Sequence, residues 1–143
     1  MIVKHRANIF KSLTCEWATP QTLFDALNYE FAFTLDVAAT KENAKCDRFF
    51  DIDKNGLLQR WAPERCWMNP PYGPDLEKWI RKAWEESRKG AAVVCLVPSR
   101  TDTIWFHEYA LKADEIRFLC GRLRFGEGKG RATFPSCVVI FRT

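Results

Sequence analysis

The stretch from residue 66 to residue 97 restricts the fold most. A short apolar run, Cys66-Trp67-Met68, breaks directly into Asn69-Pro70-Pro71-Tyr72-Gly73. Pro74 then opens a segment in which Leu76, Trp79, Ile80, Ala83 and Trp84 recur at helical spacing, with Asp75 and Glu77 in the first turn, where they complement the helix dipole. Gly90 ends that helix. Residues 91–97 form an unbroken apolar run, the pattern of a strand covered on both faces. Strands alternating with helices predict an α/β sandwich on a mostly parallel sheet, in which ligands bind at the carboxyl ends of strands.

The rest of the chain fits that frame. Pro20 suits a first helical turn after Thr19 as N-cap, and Leu23, Phe24 and Leu27 share one face. Residues 31–37 (Phe-Ala-Phe-Thr-Leu-Asp-Val) read as a strand ending near Asp36, with the small residues Ala38, Ala39 and Thr40 following at once. A second short strand is expected at 48–50, ending in Asp51 and Asp53, before a turn at Asn55-Gly56. Residues 99–113 read as another helix, and 115–125 and 136–141 as closing strands. Between those strands lies Gly126-Glu127-Gly128-Lys129-Gly130-Arg131, a flexible basic loop.

With 143 residues the chain has room for one domain, spanning 1–143. A hydrophobic share of 47% and a charged share of 28% exclude disordered and fibrous classes. No apolar run reaches the roughly 18–20 residues that cross a bilayer, and the start lacks a signal-peptide core. The net charge of +4 is compatible with a nucleic-acid partner. The closest pair of the six cysteines is 17 positions apart, which gives no zinc spacing. The expectation is reduced, intracellular cysteines, no metal, and two unremarkable histidines, His5 and His107.

Asn69-Pro70-Pro71-Tyr72 carries the chemistry. A residue before proline is held extended, so Asn69 and Pro70 are both kept out of helical geometry. Proline lacks an N–H, which leaves carbonyls with few local donors. The Asn69 side-chain oxygen and the Pro70 carbonyl can therefore converge on one external –NH2 group. Such an amine is a poor nucleophile because its lone pair is delocalised. Two fixed acceptors turn the nitrogen toward tetrahedral geometry and stabilise the positive charge that develops on attack. At about 1.5–3 kcal/mol per hydrogen bond to a charging group, the pair supplies several powers of ten in rate. Tyr72 offers a flat face for a planar substrate, and no general base is needed, because the proton can leave after alkylation. The plainer alternative is a Pro-Pro turn that only joins a strand to a helix.

The sequence resembles S-adenosylmethionine-dependent amino methyltransferases, whose catalytic motif is (D/N/S)-P-P-(Y/F/W), and more closely the phage-type DNA N-6-adenine methyltransferases (Dam-like). The matching segments include Trp17 to Phe24, Thr34 to Thr40, Asn43 to Cys46, Asn55 to Leu57, Trp67 to Gly73, Pro98 to His107, Gly121 to Phe125 and Phe134 to Ser136. The resemblance implies a compact Rossmann-like methyltransferase fold using S-adenosyl-L-methionine. Only 14 residues separate Asp51 from Cys66, so the fold is expected to be truncated by one strand of the usual sheet. It implies Asn69, Pro70, Pro71 and Tyr72 as the catalytic motif. Trp17, Thr19, Pro20, Asp36 and Ala38 are implied at the cofactor, with Asp51 or Asp53 at the ribose hydroxyls. The glycine-rich loop typical of the wider class is replaced by Asp36-Val37-Ala38-Ala39.

The resemblance also implies DNA as the partner, with no membrane, a monomer or homodimer, and a bacterial host cytoplasm as the location. Arg100, with Asp102 and Trp105, could position the cofactor, the DNA backbone or a flipped base, or could simply begin a helix capped by Thr101 or Asp102. Arg122, Arg124, Lys129 and Arg131 fit a phosphate-contacting loop or a solvated hairpin. Phe125 fits a stacking partner for a flipped base or an ordinary strand aromatic, and Trp79 and Trp84 are expected in the core. Other readings are a protein-glutamine or RNA amine methyltransferase, or an inactive nucleic-acid-binding or anti-restriction protein.

Overall fold

A computed structural model describes residues 20–124 and 134–142. Its elements in chain order are α1 (Pro20–Phe31), β1 (Leu35–Asp36), a 3-10 turn (Gly56–Leu58), β2 (Arg65–Met68), α2 (Leu76–Ser87) and β3 (Ala92–Pro98). They continue with α3 (Ile104–Glu108), a 3-10 turn (Ala110–Lys112), β4 (Glu115–Phe118) and β5 (Ser136–Phe141). The five strands form one mixed sheet in the order β1-β2-β3-β5-β4. β1, β2 and β3 pair in parallel, and β5 runs antiparallel to both β3 and β4.

The alternation of side chains along the strands builds a core on each face. Cys66, Met68, Val93, Cys95, Val97, Val139 and Phe141 point to one side, where Leu76, Trp79, Ile80 and Ala83 of α2 and Phe106 of α3 cover them. Trp67, Val94, Leu96, Val138 and Ile140 point to the other, against Leu23, Phe24 and Leu27 of α1. The continuous apolar run at 91–97 is thus a strand buried on both faces, as its sequence indicated. Each such aliphatic side chain contributes roughly 1.5–3 kcal/mol on burial.

Several expected boundaries move. Phe31 ends α1 instead of starting a strand. Ala32 takes a left-handed conformation (φ 52°), and the Asn28 side chain accepts from the Phe33 N–H at 2.9 Å, so the helix end is capped where aromatic propensity favoured a strand. Strand β1 is consequently only two residues long. The strand expected at 48–50 is a single bridge between Asp36 and Phe49. The helix expected over 99–113 is α3 plus a 3-10 turn, and its cap is Thr103, whose hydroxyl accepts from the Phe106 N–H at 3.3 Å. The continuous ladder in the strand expected over 115–125 ends at Phe118, with a single bridge at Arg124.

Cys46, Cys66, Cys95 and Cys137 are free, but Cys120 is disulfide-bonded, which corrects the expectation of a fully reduced set. The spacing argument tested only short separations, whereas the fold decides which distant cysteines meet. No helix among the described residues is long and apolar enough to cross a membrane.

Glu86 is the acidic anchor of this core. Its carboxylate is almost fully buried and accepts from the Trp61 and Ala62 backbone N–H groups at 2.6 and 3.2 Å. Lys89 and Lys82 pair with its other oxygen at 3.2 and 3.4 Å. Burial alone would raise its pKa, but the two backbone donors and the two lysines together hold it down at about 2. The loop that leads from the 3-10 turn into β2 is therefore tied to the last turn of α2.

Candidate active site

Strands β1 and β2 lie side by side and parallel, so their carboxyl ends open onto one rim. A cleft of about 680 Å3 sits there. From the loop after β1 it takes Ala38, Ala39 and Thr40, further along the chain Phe50, Asp51 and Ile52, and from the following turn Asn55, Gly56 and Leu57. Asn69, Pro70, Pro71 and Tyr72 line the opposite side, with Trp79 from α2 among the lining residues. The structure thus brings together the Asn-Pro-Pro-Tyr tetrapeptide and the small residues after Asp36, two segments more than 25 positions apart in the chain.

Asp36 itself faces inward. It is 2% exposed and is not a lining residue. One carboxylate oxygen accepts from the Ala38 N–H at 3.3 Å and the other from the Lys45 N–H at 2.9 Å. Burial pushes its pKa up to about 6, against the pull of those two donors and of the Lys45 charge. Its geometry is that of a positioning residue that fixes the loop carrying Ala38, Ala39 and Thr40.

The absence of a glycine-rich loop has a physical resolution. Among the described non-glycine residues only Ala32 and Asn55 have positive φ, so Ala38 and Ala39 need no glycine-like conformation. The close approach comes from the other wall. A Cβ on Gly56 would lie 2.1 Å from the Val37 carbonyl oxygen and 3.1 Å from the Trp79 ring. Gly56→Ala is therefore expected to push the two loops apart and destabilise the fold by about 1–3 kcal/mol or more. Chemical denaturation checks this, and an unchanged midpoint would mean that the walls separate freely.

Tyr72 is held at both ends. Its hydroxyl lies 3.2 Å from the Leu96 carbonyl of β3 and 3.4 Å from Asn69 Oδ1. The first is the better donor distance, so the phenol ties the tetrapeptide to the neighbouring strand. Burial raises the phenol pKa, which keeps the group neutral and a donor. Its ring meets Phe134 edge-on at 5.5 Å, and the Arg100 guanidinium stands 5.8 Å from the Phe134 ring. Arg100 is thus placed beside the tetrapeptide, on the same rim.

The remaining sequence-predicted residues divide. Asp51 lines the cleft, whereas Asp53 is exposed and does not. Arg122 and Arg124 are exposed. Pro20 is the first residue of α1. Trp17, Thr19, Phe125, Lys129 and Arg131 lie outside the described residues. Ile52, Asn55, Gly56 and the cleft-facing part of Trp79 were missed as site residues. Asn55-Gly56 was legible as a turn and Trp79 as core, but no sequence signal placed either at the cleft.

The chain is thus a layered α/β protein with Asn-Pro-Pro-Tyr at a strand end, facing a second parallel strand's loop across a cleft. Residues 6–142 match the family described as DNA N-6-adenine-methyltransferase (Dam). The chain belongs to that family. It is similar to the DNA N-6-adenine-methyltransferase of Haemophilus phage HP1, with 31% identity over 144 residues covering 95% of this chain and 83% of the relative. It is also similar to the DNA N-6-adenine-methyltransferase of Escherichia phage T1, at 33% identity over 103 residues. That match covers 70% of this chain but only 42% of the T1 protein, so the chain spans less than half of that relative.

Proposed function

We propose that the protein transfers a methyl group from S-adenosylmethionine to N6 of adenine in DNA, on a Rossmann-like methyltransferase fold shortened by one strand. The observation that carries this reading is the convergence of Asn69-Pro70-Pro71-Tyr72 and the Ala38-Ala39-Thr40 loop on one cleft. The cleft volume of about 680 Å3 falls within the range of cofactor sites. Its chemistry also suits an adenosyl group: the half-buried Asp51 carboxylate for ribose hydroxyls, and the exposed Ile52 beside it for the purine face. Asp51 rather than Asp53 is assigned to the ribose because only Asp51 lines the cleft.

When bound, S-adenosylmethionine supplies an electrophilic methyl. The protein's own part is to hold and charge-stabilise the acceptor. Asn69 Oδ1 takes one N6–H and the Pro70 carbonyl takes the other, which directs the nitrogen lone pair outward. Asn69 Oδ1 has two lone pairs, so the contact with the Tyr72 hydroxyl leaves one for the substrate. Positive charge would develop on N6 as the C–N bond forms and the methyl's bond to the sulfonium sulfur breaks, its electron pair staying with the departing thioether, and the surplus proton would leave N6 to solvent afterwards. An adenine stacked in a duplex cannot reach these acceptors, so it is flipped out at a cost of a few kcal/mol. Arg100, Arg122 and Arg124 are assigned to DNA phosphates.

Tyr72 gives the base a stacking face worth about 1–3 kcal/mol. Tyr72→Ala is therefore expected to weaken use of duplex DNA by roughly 5- to 150-fold in kcat/KM. Tyr72→Phe, which keeps the face and loses the hydroxyl's contacts with the Leu96 carbonyl and Asn69 Oδ1, is expected to lose much less. Steady-state kinetics separates the two, and an alanine variant with wild-type kinetics would contradict stacking.

The function is tested by incubating the protein with methyl-labelled cofactor and separate DNA, RNA and protein acceptors. Label is expected in DNA. Label confined to RNA or protein would move the reading to an amine or glutamine methyltransferase. No label and no cofactor binding by calorimetry would indicate a binding protein without activity.

A further inference from the structure

A second cleft, of about 520 Å3, lies at the opposite end of the sheet. It is lined by Trp84, Arg88, Lys89, Lys112, Asp114 and Arg142, together with Gly90 and neighbouring backbone. It opens where β3 begins and β5 ends, whereas the tetrapeptide follows the end of β2. Strand β3 alone is about 20 Å long. The two clefts therefore sit at different levels of the molecule and share no lining residue.

Four cations converge here from three separate segments. Arg88 and Lys89 follow the last turn of α2, Lys112 ends the second 3-10 turn, and Arg142 follows β5. The helix dipole accounts for cations at the end of α2 but not for the two brought from elsewhere. Lys89 is paired with Glu86 and Arg142 with Glu115. Asp114 accepts from the Arg142 backbone N–H at 2.6 Å. Arg88 and Lys112 have no carboxylate partner among the described residues. Instead both stand on one indole, 5.7 Å and 4.5 Å from the centre of the Trp84 ring. Each cation is thus held against an aromatic ring and keeps its charge available to an anion.

We propose that this cleft binds a phosphate of the DNA backbone, as a second contact site remote from methyl transfer. The chemistry is that of non-specific contact: arginine and lysine dominate the lining, and its one carboxylate, Asp114, accepts from the Arg142 backbone N–H. Because the cleft lies at the other end of the sheet from the tetrapeptide, it takes a second stretch of the same polymer and retains DNA between encounters with the catalytic cleft. The choice of DNA rests on the proposed function; the convergence of cations does not.

The test compares the intact protein with the double variant Arg88→Gln/Lys112→Gln, using a duplex of G·C pairs alone, which offers no adenine. Binding is followed by fluorescence anisotropy across a salt series. Each phosphate contact contributes about 0.9 to the slope of log affinity against log salt, so the double variant, which loses the one phosphate held in this cleft, is expected to lose roughly 0.9 from that slope. Single-turnover methylation at saturating DNA is expected to be unchanged. The charge-keeping exchange Arg88→Lys/Lys112→Arg is expected to retain the slope, which separates lost charge from lost folding. Equal slopes for the intact protein and the glutamine variant would overturn the inference, even with methylation intact. Absence of methylation in both proteins would count against the proposed function instead and leave the comparison of slopes readable.

Discussion

Asn69→Ala is expected to bind DNA and cofactor as the intact protein does while kcat falls by about 10²–10³-fold. The substitution removes one of the two acceptors proposed to act when charge develops on N6, so its loss is felt in the transition state more than in the bound complex. The Pro70 carbonyl remains, which is why the expected loss is not total. The backbone conformation is set by Pro70 and Pro71, so alanine at 69 keeps the extended geometry before proline and the fold is preserved. Titration of cofactor and DNA binding alongside single-turnover kinetics checks the split. A variant with reduced affinity and an undiminished rate at saturation would place Asn69 in binding rather than in catalysis.

Glu86→Ala is expected to be the most destabilising single change described here, by about 3–5 kcal/mol. It strands the Trp61 and Ala62 N–H groups in the interior and leaves Lys82, a largely buried lysine, without its partner. For a chain of this length such a loss lowers the melting temperature by roughly 10 °C or more. The acid side of the stability profile gives a second readout. The folded pKa of about 2 lies below the ordinary carboxylate value of 4.5. The contribution of Glu86 is therefore complete above about pH 4.5 and is lost as pH falls from there toward 2. Thermal melts over that window are expected to show a steeper acid decline for the intact protein than for Glu86→Ala. Parallel declines would show that Glu86 does not carry this dependence.

Much of this was legible in the residues because local and global preferences agree. The apolar stripe of α2, the run that became β3 and the tetrapeptide at the end of β2 each obey one rule of periodicity or proline geometry. The misreadings arise where tertiary contacts overrule a local preference. Phe31 and Phe33 favour a strand, but the Asn28 side chain captures the Phe33 N–H and extends α1. Asp36 looked like a group offered to a ligand; its carboxylate instead turns inward to hold two backbone donors. Gly56 was read as half of a turn, and only the folded chain reveals the Val37 carbonyl against it. Glu86 had a signal that went unused. It falls on the buried stripe of α2, seven positions after Trp79 and three after Ala83, where an acid demands partners.

The central claim is that Asn69 and Pro70 grip the exocyclic amine of adenine for alkylation. Mass spectrometry of nucleosides from DNA of cells expressing the intact protein, compared with cells expressing Asn69→Ala, tests it most directly. The account predicts N6-methyldeoxyadenosine in the first and a loss of most of it in the second. Methylation at a different base, or the same level of N6-methyldeoxyadenosine from both proteins, would contradict it.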